Sequence, residues 1–332
     1  MGIFVIAGIL LAGITGIYIY FYIKRILAYF GLDMSRRSYR IICLFAAVAA
    51  AAASVNVWSI TALVILHILA LSVICDLIFV IFRKLFKNKK QDSRIRKNIR
   101  ALYRSGLIPI AITGVLLAYG FYNMGHIERK EYQITTEKHL NDYKIALITD
   151  THFGTVQDPE ILNKAVEEMN QENLDIVILG GDIVEEGTSK EEMQQVFKLL
   201  GGLEASYVEI NGELIIAGRG DARWGNVSGR KSVEEILQGA DRGHYIITAD
   251  HQPIQAEEND TQGVDLLLSG HTHAGQIWPV GWMSELTGVL NYGEYQEGDC
   301  KVIVSSGFTG WGYPLRTEEH CEYVIINLSQ SI

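Results

Sequence analysis

Within the first 124 residues lie four apolar stretches, residues 3–23, 41–58, 60–82 and 107–122, each near the length needed to cross a hydrocarbon core. Backbone at that depth has no water to satisfy it, so each stretch is committed to helix. The fourth is the shortest and holds Pro109, but its place between a basic loop and a polar domain argues for spanning. The first begins without a basic leader or a small-residue cleavage site and reads as an uncleaved anchor.

Lys24, Arg25, Arg36, Arg37 and Arg40 separate the first stretch from the second, and ten more basic residues run from Arg83 to Arg104 between the third and fourth. Short basic loops stay cytoplasmic. The N-terminus, a turn at Ser54-Val55-Asn56 and everything after the fourth helix are then expected on the other side. This divides the chain into a four-helix membrane region, residues 1–124, and an extracytoplasmic domain, residues 125–332. Charge divides it at the same place: 15 basic and 3 acidic residues precede Gly125 (+12), and 14 basic and 35 acidic residues follow (−21). The basic part suits the anionic inner leaflet of a lipid bilayer, whereas the acidic part would repel a phosphate backbone and excludes nucleic acid as a partner. In the third stretch Asp76 is expected to pair with Arg83, and His67 to hydrogen-bond across the bundle. Cys43 and Cys75 read as small apolar residues in spans. Cys300 and Cys321 flank strand-like runs, and a disulfide between them is permitted outside the cell.

The second part alternates strand-like and helical patterns, which points to an α/β domain. Residues 159–171 start with Asp158 as a cap and Pro159 in the first turn, and place Ile161, Leu162, Ala165, Val166 and Met169 on one face. Ser189 and Glu192 form a capping box for a helix running to about Leu203. Asn211-Gly212 marks a hairpin over residues 208–216, and residues 128–143 read as a charged connector.

Three apolar runs end in residues able to hold metal. Ile145-Ala146-Leu147-Ile148 precedes Asp150-Thr151-His152, Ile176-Val177-Ile178-Leu179 precedes Gly180-Gly181-Asp182, and Leu266-Leu267-Leu268 precedes Gly270-His271-Thr272-His273. His251 follows a fourth such run, Tyr245-Ile246-Ile247-Thr248. Ligands of open α/β sheets gather at the carboxyl ends of strands, so these residues are expected to converge. Mixed imidazole and carboxylate donors suit Mn, Fe or Zn better than Ca, with Mg left open.

This ordered series resembles the calcineurin-like metallophosphoesterase family over residues 143–328. The stretch Gly270-His271-Thr272-His273-Ala274-Gly275-Gln276-Ile277-Trp278-Pro279 is most similar to its bacterial membrane-associated branch. The resemblance implies two packed mixed β-sheets flanked by helices and two divalent metal ions. It implies that Asp150, His152 and His273 bind one ion, that His251 and His271 bind the other, and that Asp182 bridges them. A bridging hydroxide would then attack phosphorus, with Asp182 and His251 in the catalytic set. The family's Gly-Asn-His-Asp or Gly-Asn-His-Glu motif has no counterpart, since no Asn-His dipeptide occurs in the chain. A strand, that motif and a following helix are thus expected to be missing near Tyr207; Gly225-Asn226 is a poor substitute. Glu185 stands where the family usually has Asp. Arg316, in a loop rich in glycine and aromatic residues, is a further candidate for gripping a substrate oxygen. The expected function is a membrane-anchored, metal-dependent phosphoesterase acting on a phosphate or pyrophosphate ester, a lipid or envelope precursor being suggested by the tether. The alternative is a degenerate relative that binds a ligand or partner without turnover.

Overall fold

The computed structural model describes residues 2–56, 59–85, 93–153, 159–184, 188–200, 212–222 and 230–331. They form two compact units, Met1–Ala118 and Tyr119–Ile332. The first contains α1 (Gly2–Tyr29), α2 (Arg37–Val55), α3 (Ile60–Leu85), α4 (Ser93–Ser105) and most of α5 (Leu107–Met124). Among the described residues, four helices are long and apolar enough to cross a membrane: α1 through Leu10–Tyr29, then α2, α3 and α5.

Three expectations for this unit are corrected. The basic stretch before α5 is a helix, α4, over residues 93–105 rather than a loop throughout. Ile95, Ile99 and Leu102 recur at helical spacing there, and Tyr103 stacks on Phe79 of α3 with ring centroids 3.8 Å apart. Asp76 pairs with Arg25 of α1 at 2.6 Å and accepts from the Tyr18 hydroxyl at 2.6 Å. Arg83 lies about 10 Å further along the same helix, whereas a cation on a neighbouring helix reaches Asp76 directly. His67 turns its Nδ1 to the Leu63 carbonyl of its own helix, 2.9 Å away, and does not bridge the bundle through that atom.

In the second unit β1 (Ile127–Thr136), β2 (Tyr143–Ile148), β3 (Ile176–Leu179) and β9 (Cys321–Gln330) make a sheet of order β1-β9-β2-β3. A second sheet of order β4-β5-β6-β8-β7 takes β4 (Leu214–Arg219), β5 (Tyr245–Asp250), β6 (Leu266–Ser269), β7 (Gly293–Glu297) and β8 (Cys300–Val304). Strand side chains alternate between faces, and both faces of these strands are covered. Ile145, Leu147, Ile247, Leu266, Leu268 and Ile326 meet in the core between the sheets. Ala146 and Ile148 turn the other way, onto Leu162, Ala165, Val166 and Met169 of α6 (Pro159–Asn170). Ile246, Leu267 and Val302 turn onto Val233 of α8 (Val233–Ile236) and Ala256 of α9 (Ala256–Thr261). The result is two packed mixed sheets flanked by helices, the expected α/β architecture.

The capping box at Ser189 opens α7 (Lys190–Leu200): the Ser189 amide donates to Glu192 Oε2 at 2.7 Å and the Glu192 amide to Ser189 Oγ at 3.1 Å. Residues 127–136, expected as connector, are strand β1, paired in parallel with β9 from Ile127 to Thr136. Tyr132 and Ile134 are buried at alternate positions while charged neighbours face out, a half-buried edge strand hidden by its charge. Cys300 and Cys321 are free, and β8 and β9, which they open, are not paired neighbours but belong to different sheets. Leu214–Arg219 runs parallel to β5; the first arm of the expected hairpin, with Tyr207, Gly225-Asn226, Glu185 and Asp158, lies outside the described residues.

Leu162 is fully buried under the first sheet. Leu162→Ala is expected to cost about 2–5 kcal/mol, read as a lower thermal midpoint of the detergent-solubilised protein. Lys164→Ala, on the exposed face of α6, should stay within about 0.5 kcal/mol.

Candidate metal centre

Strand pairing continues past the ends of β2 and β3. The amides of Asp150, His152 and Phe153 donate to the carbonyls of Gly181, Asp182 and Ile183 at 3.0, 3.0 and 3.2 Å, so two of the motif loops run zipped side by side. The Gly270 amide donates to the His251 carbonyl at 3.0 Å, and those of Phe308 and Thr309 to the carbonyls of Thr149 and Asp150 at 2.9 and 3.1 Å. Backbone alone therefore draws the ends of β2, β3, β5, β6 and β8 to one place.

The loops reach it at a conformational cost. Asp150, His152, Asp182, His271 and His273 have φ of 55°, 39°, 48°, 70° and 50°, in the left-handed region that side chains with a Cβ seldom occupy. Such residues cost of order 1–3 kcal/mol each and persist where the surroundings over-determine them. Their concentration in this constellation points to a site.

The structure brings the six expected ligands into two groups, Asp150, His152 and His273, and Asp182, His251 and His271, with donor atoms within 4.8 Å of one another in each. The first group is buried; in the second, Asp182 and His271 are open to solvent. Asp150 Oδ1 stands 3.7, 3.7 and 3.3 Å from the Nε2 atoms of His152, His251 and His273. His251 Nε2 is also 3.2 Å from Asp182 Oδ2. The far nitrogens are engaged: His251 Nδ1 donates to the Gly180 carbonyl at 3.0 Å, and His273 Nδ1 to the Thr309 carbonyl at 3.1 Å. Such bonds fix the tautomer with the Nε2 lone pair turned inward. His251 Nε2 is buried without a hydrogen-bond partner, and the Nε2 atoms of His152 and His273 face each other at 3.2 Å. Inward lone pairs beside two carboxylates fit a divalent cation.

The titration of these groups agrees. Burial pushes Asp150 up, but the imidazoles of His273, His152 and His251 outweigh it and hold the carboxyl below the usual range. His251 lowers Asp182 in the same way. Burial brings His273 down to about 4 against the pull of Asp150. Burial also lowers His251, yet Asp182 and Asp150 carry it up to about 9, so its proton supplies the positive charge the carboxylates demand.

Arg316 has a different place from the one expected. It is fully buried, with Nη1 donating to the carbonyls of His273 and His320 at 3.0 and 3.3 Å and Nη2 to those of Ser306 and Thr309 at 2.8 and 2.9 Å. Its terminal nitrogens are spent on backbone, so it braces the loop that carries His273 instead of gripping substrate. Residues that sequence reasoning missed act at one remove. Thr149 donates its hydroxyl to Asp150 Oδ2 at 2.8 Å, the His271 amide donates to both Asp150 oxygens at 3.2 and 3.1 Å, and Arg230 pairs with buried Asp250 at 3.1 Å, just before His251. Gly270 admits Asp150 by having no side chain: a Cβ there would sit 2.3 Å from Asp150 Oδ2.

Two outcomes are expected from isothermal titration of Mn into the metal-free protein. Gly270→Ala should lose the buried site at Asp150 while keeping the wild-type circular dichroism. Affinity should rise with pH up to about 9, because His251 must shed its proton to become a ligand.

The comparisons with known proteins converge on one family. The model of the calcineurin-like phosphoesterase superfamily domain matches residues 143–301. An uncharacterised metallophosphoesterase of Helicobacter pylori strain J99 is 30% identical over 258 residues, 67% of this chain and 69% of the relative. One of Campylobacter jejuni is 26% identical over 281 residues, covering 72% and 73%. A zebrafish (Danio rerio) transmembrane protein with metallophosphoesterase domain is 27% identical over 278 residues, covering 69% and 64%. With four helices able to span a bilayer and two groups of candidate metal ligands, the chain is a membrane protein that belongs to the calcineurin-like metallophosphoesterase family.

Proposed function

We propose that the protein is a membrane-anchored phosphohydrolase whose C-terminal domain works outside the cytoplasm, on a phosphate or pyrophosphate ester presented at the bilayer. The observation that carries this reading is the pair of donor groups, one buried and one open, each with its ligand atoms within 4.8 Å. Asp150, His152 and His273 would hold one divalent ion and His251 and His271 the other, with Asp182 shared; Mn, Fe or Zn suits these donors. Two such ions supply Lewis acidity toward a phosphoryl oxygen and an activated water. The protein's own part is to aim the donors and to leave one side open. Beside Asp182 and His251 lies a cleft of about 310 Å³, bounded also by Gly181, Arg219 and Asp221, through which an ester can enter. The basic segments between the apolar helices support the outward placement of the domain.

The missing Asn-His pair favours a second reading, a domain that binds phosphate compounds without turnover. Lack of a group to protonate the leaving oxygen costs typically about 10²- to 10⁴-fold, which weighs on alkyl esters far more than on aryl esters. The two readings separate in one assay of Mn-dependent hydrolysis by the purified full-length protein. Aryl phosphomonoesters or diesters should be hydrolysed well above their alkyl counterparts, and Asp182→Asn should lower turnover by about 10²-fold or more. Two bound ions without turnover above that variant would leave the binding-domain reading standing.

A further inference from the structure

Few large apolar side chains are exposed among the described residues of 125–332, and most of them are neighbours in sequence. Among the described residues they are Val280, Trp282, Met283, Leu286, Val289 and Trp311, with Leu179 elsewhere. Single exposed apolar residues are ordinary, but a contiguous group marks an interaction surface. Trp282, Met283, Leu286 and Val289, exposed by 59, 56, 69 and 46%, recur at helical spacing along α10 (Val280–Leu286) and just past its end.

The helix is tied to the metal centre. Its Gly281 lies against the turn that carries His273, so closely that a Cβ on Gly281 would come within 2.4 Å of the Ala274 carbonyl oxygen. It is tied equally to the end of α5. Glu318 caps α10, Oε2 accepting from the Gly281 amide at 2.6 Å, and the Glu318 amide donates to the Gln276 carbonyl at 3.1 Å. In the same loop the Arg316 amide donates to the Gly120 carbonyl at 2.9 Å, and Asn123 Nδ2 donates to the carbonyls of Arg316 and Glu319 at 3.2 and 2.6 Å. Gly120 and Asn123 stand in the last turns of α5, within the C-terminal unit. One short loop thus joins the outgoing end of an apolar helix long enough to cross a membrane to the start of α10. Tyr119, Phe121 and Tyr122, exposed on that end of α5, are residues suited to a bilayer interface, as are Trp282 and Trp311.

We infer that the exposed face of α10, with Trp311, inserts into the lipid leaflet from which α5 emerges, holding the metal centre at the level of lipid phosphates. The occupant is the bilayer itself. Attachment is apolar, because a part of the chain carrying 14 basic against 35 acidic residues gains nothing from anionic headgroups. Insertion is therefore indifferent to salt. The substrate class that follows, a phosphoester borne on a lipid, rests on the phosphohydrolase reading; the insertion does not.

The test uses the full-length protein in phosphatidylcholine vesicles, with Cys75, the one native cysteine that is not buried, replaced by Ala. A nitroxide is placed at Met283→Cys and, for comparison, at exposed Glu257→Cys on α9. Insertion makes the label at 283 collide more with oxygen than with a water-soluble nickel chelate, in low and high salt alike, while the label at 257 does the reverse. A label at 283 as open to nickel as that at 257 overturns the inference, and one shielded from both reagents also overturns it, in favour of contact with protein such as a second copy. Neither reading needs metal or turnover, so failure of the phosphohydrolase proposal leaves this result intact. For the substrate class, Trp282→Ser/Leu286→Ser should keep wild-type hydrolysis of a soluble aryl ester and lose several-fold on a long-chain lipid phosphoester in vesicles. Equal loss on both overturns the delivery role.

Discussion

Asp150 is a carboxylate with no exposure to water, and much of the C-terminal unit is arranged to keep it charged there. Burial alone would protonate such a group. It is held ionised by imidazoles, by the hydroxyl of its neighbour Thr149 and by the His271 amide, and the partners from outside its own loop must be brought to it. The backbone zipper between residues 150–153 and 181–183 delivers one loop, the bond from Gly270 to His251 aligns two more, and Arg316 ties down the 306–309 and 273 segments. The left-handed backbone at five of the six candidate ligands is tolerable because these bonds leave the loops no alternative.

The ligand set was legible in the sequence because each residue follows an apolar run, and a buried strand is among the clearest local signals. Strand ends carry coordinates of a kind: once β2, β3, β5 and β6 are placed, the residues after them must meet. The bracing was not legible. Arg316 looks like any loop arginine, and only the fold reveals four carbonyls converging on its guanidinium. Strand β1 is hidden because its outward positions are charged, and α4 because its many cations mask the helical spacing of Ile95, Ile99 and Leu102. The partner of Asp76 stands on another helix, and helix-to-helix register is not written in a single sequence. The same holds for Cys300 and Cys321, whose strands are alike in pattern and lie in different sheets.

Charge and hydropathy separate the chain into parts suited to different solvents, yet the boundary is not at the last residue of α5. The final residues of that helix, from Tyr119, belong to the compact C-terminal unit, and Asn123 donates to its backbone twice. His320, which has the look of a solvated histidine, completes the knot by meeting Asn123 Oδ1 at 2.7 Å. A helix end fixed in this way is part of the domain that follows.

The chain holds no Asn-His dipeptide, and the open ligand group stands at the end of β3. Among the described residues β3 pairs only with β2, and Leu179 at its tip is 44% exposed. The cleft beside Asp182 and His251 is walled by the end of β3 on one side and the end of β4 on the other. The buried group is built from the loop after β2 and the turn after β6. The two halves of the centre are thus unequal by construction: one is closed to solvent, and the other, with Asp182 and His271 exposed beside the cleft, is the side from which a ligand can approach.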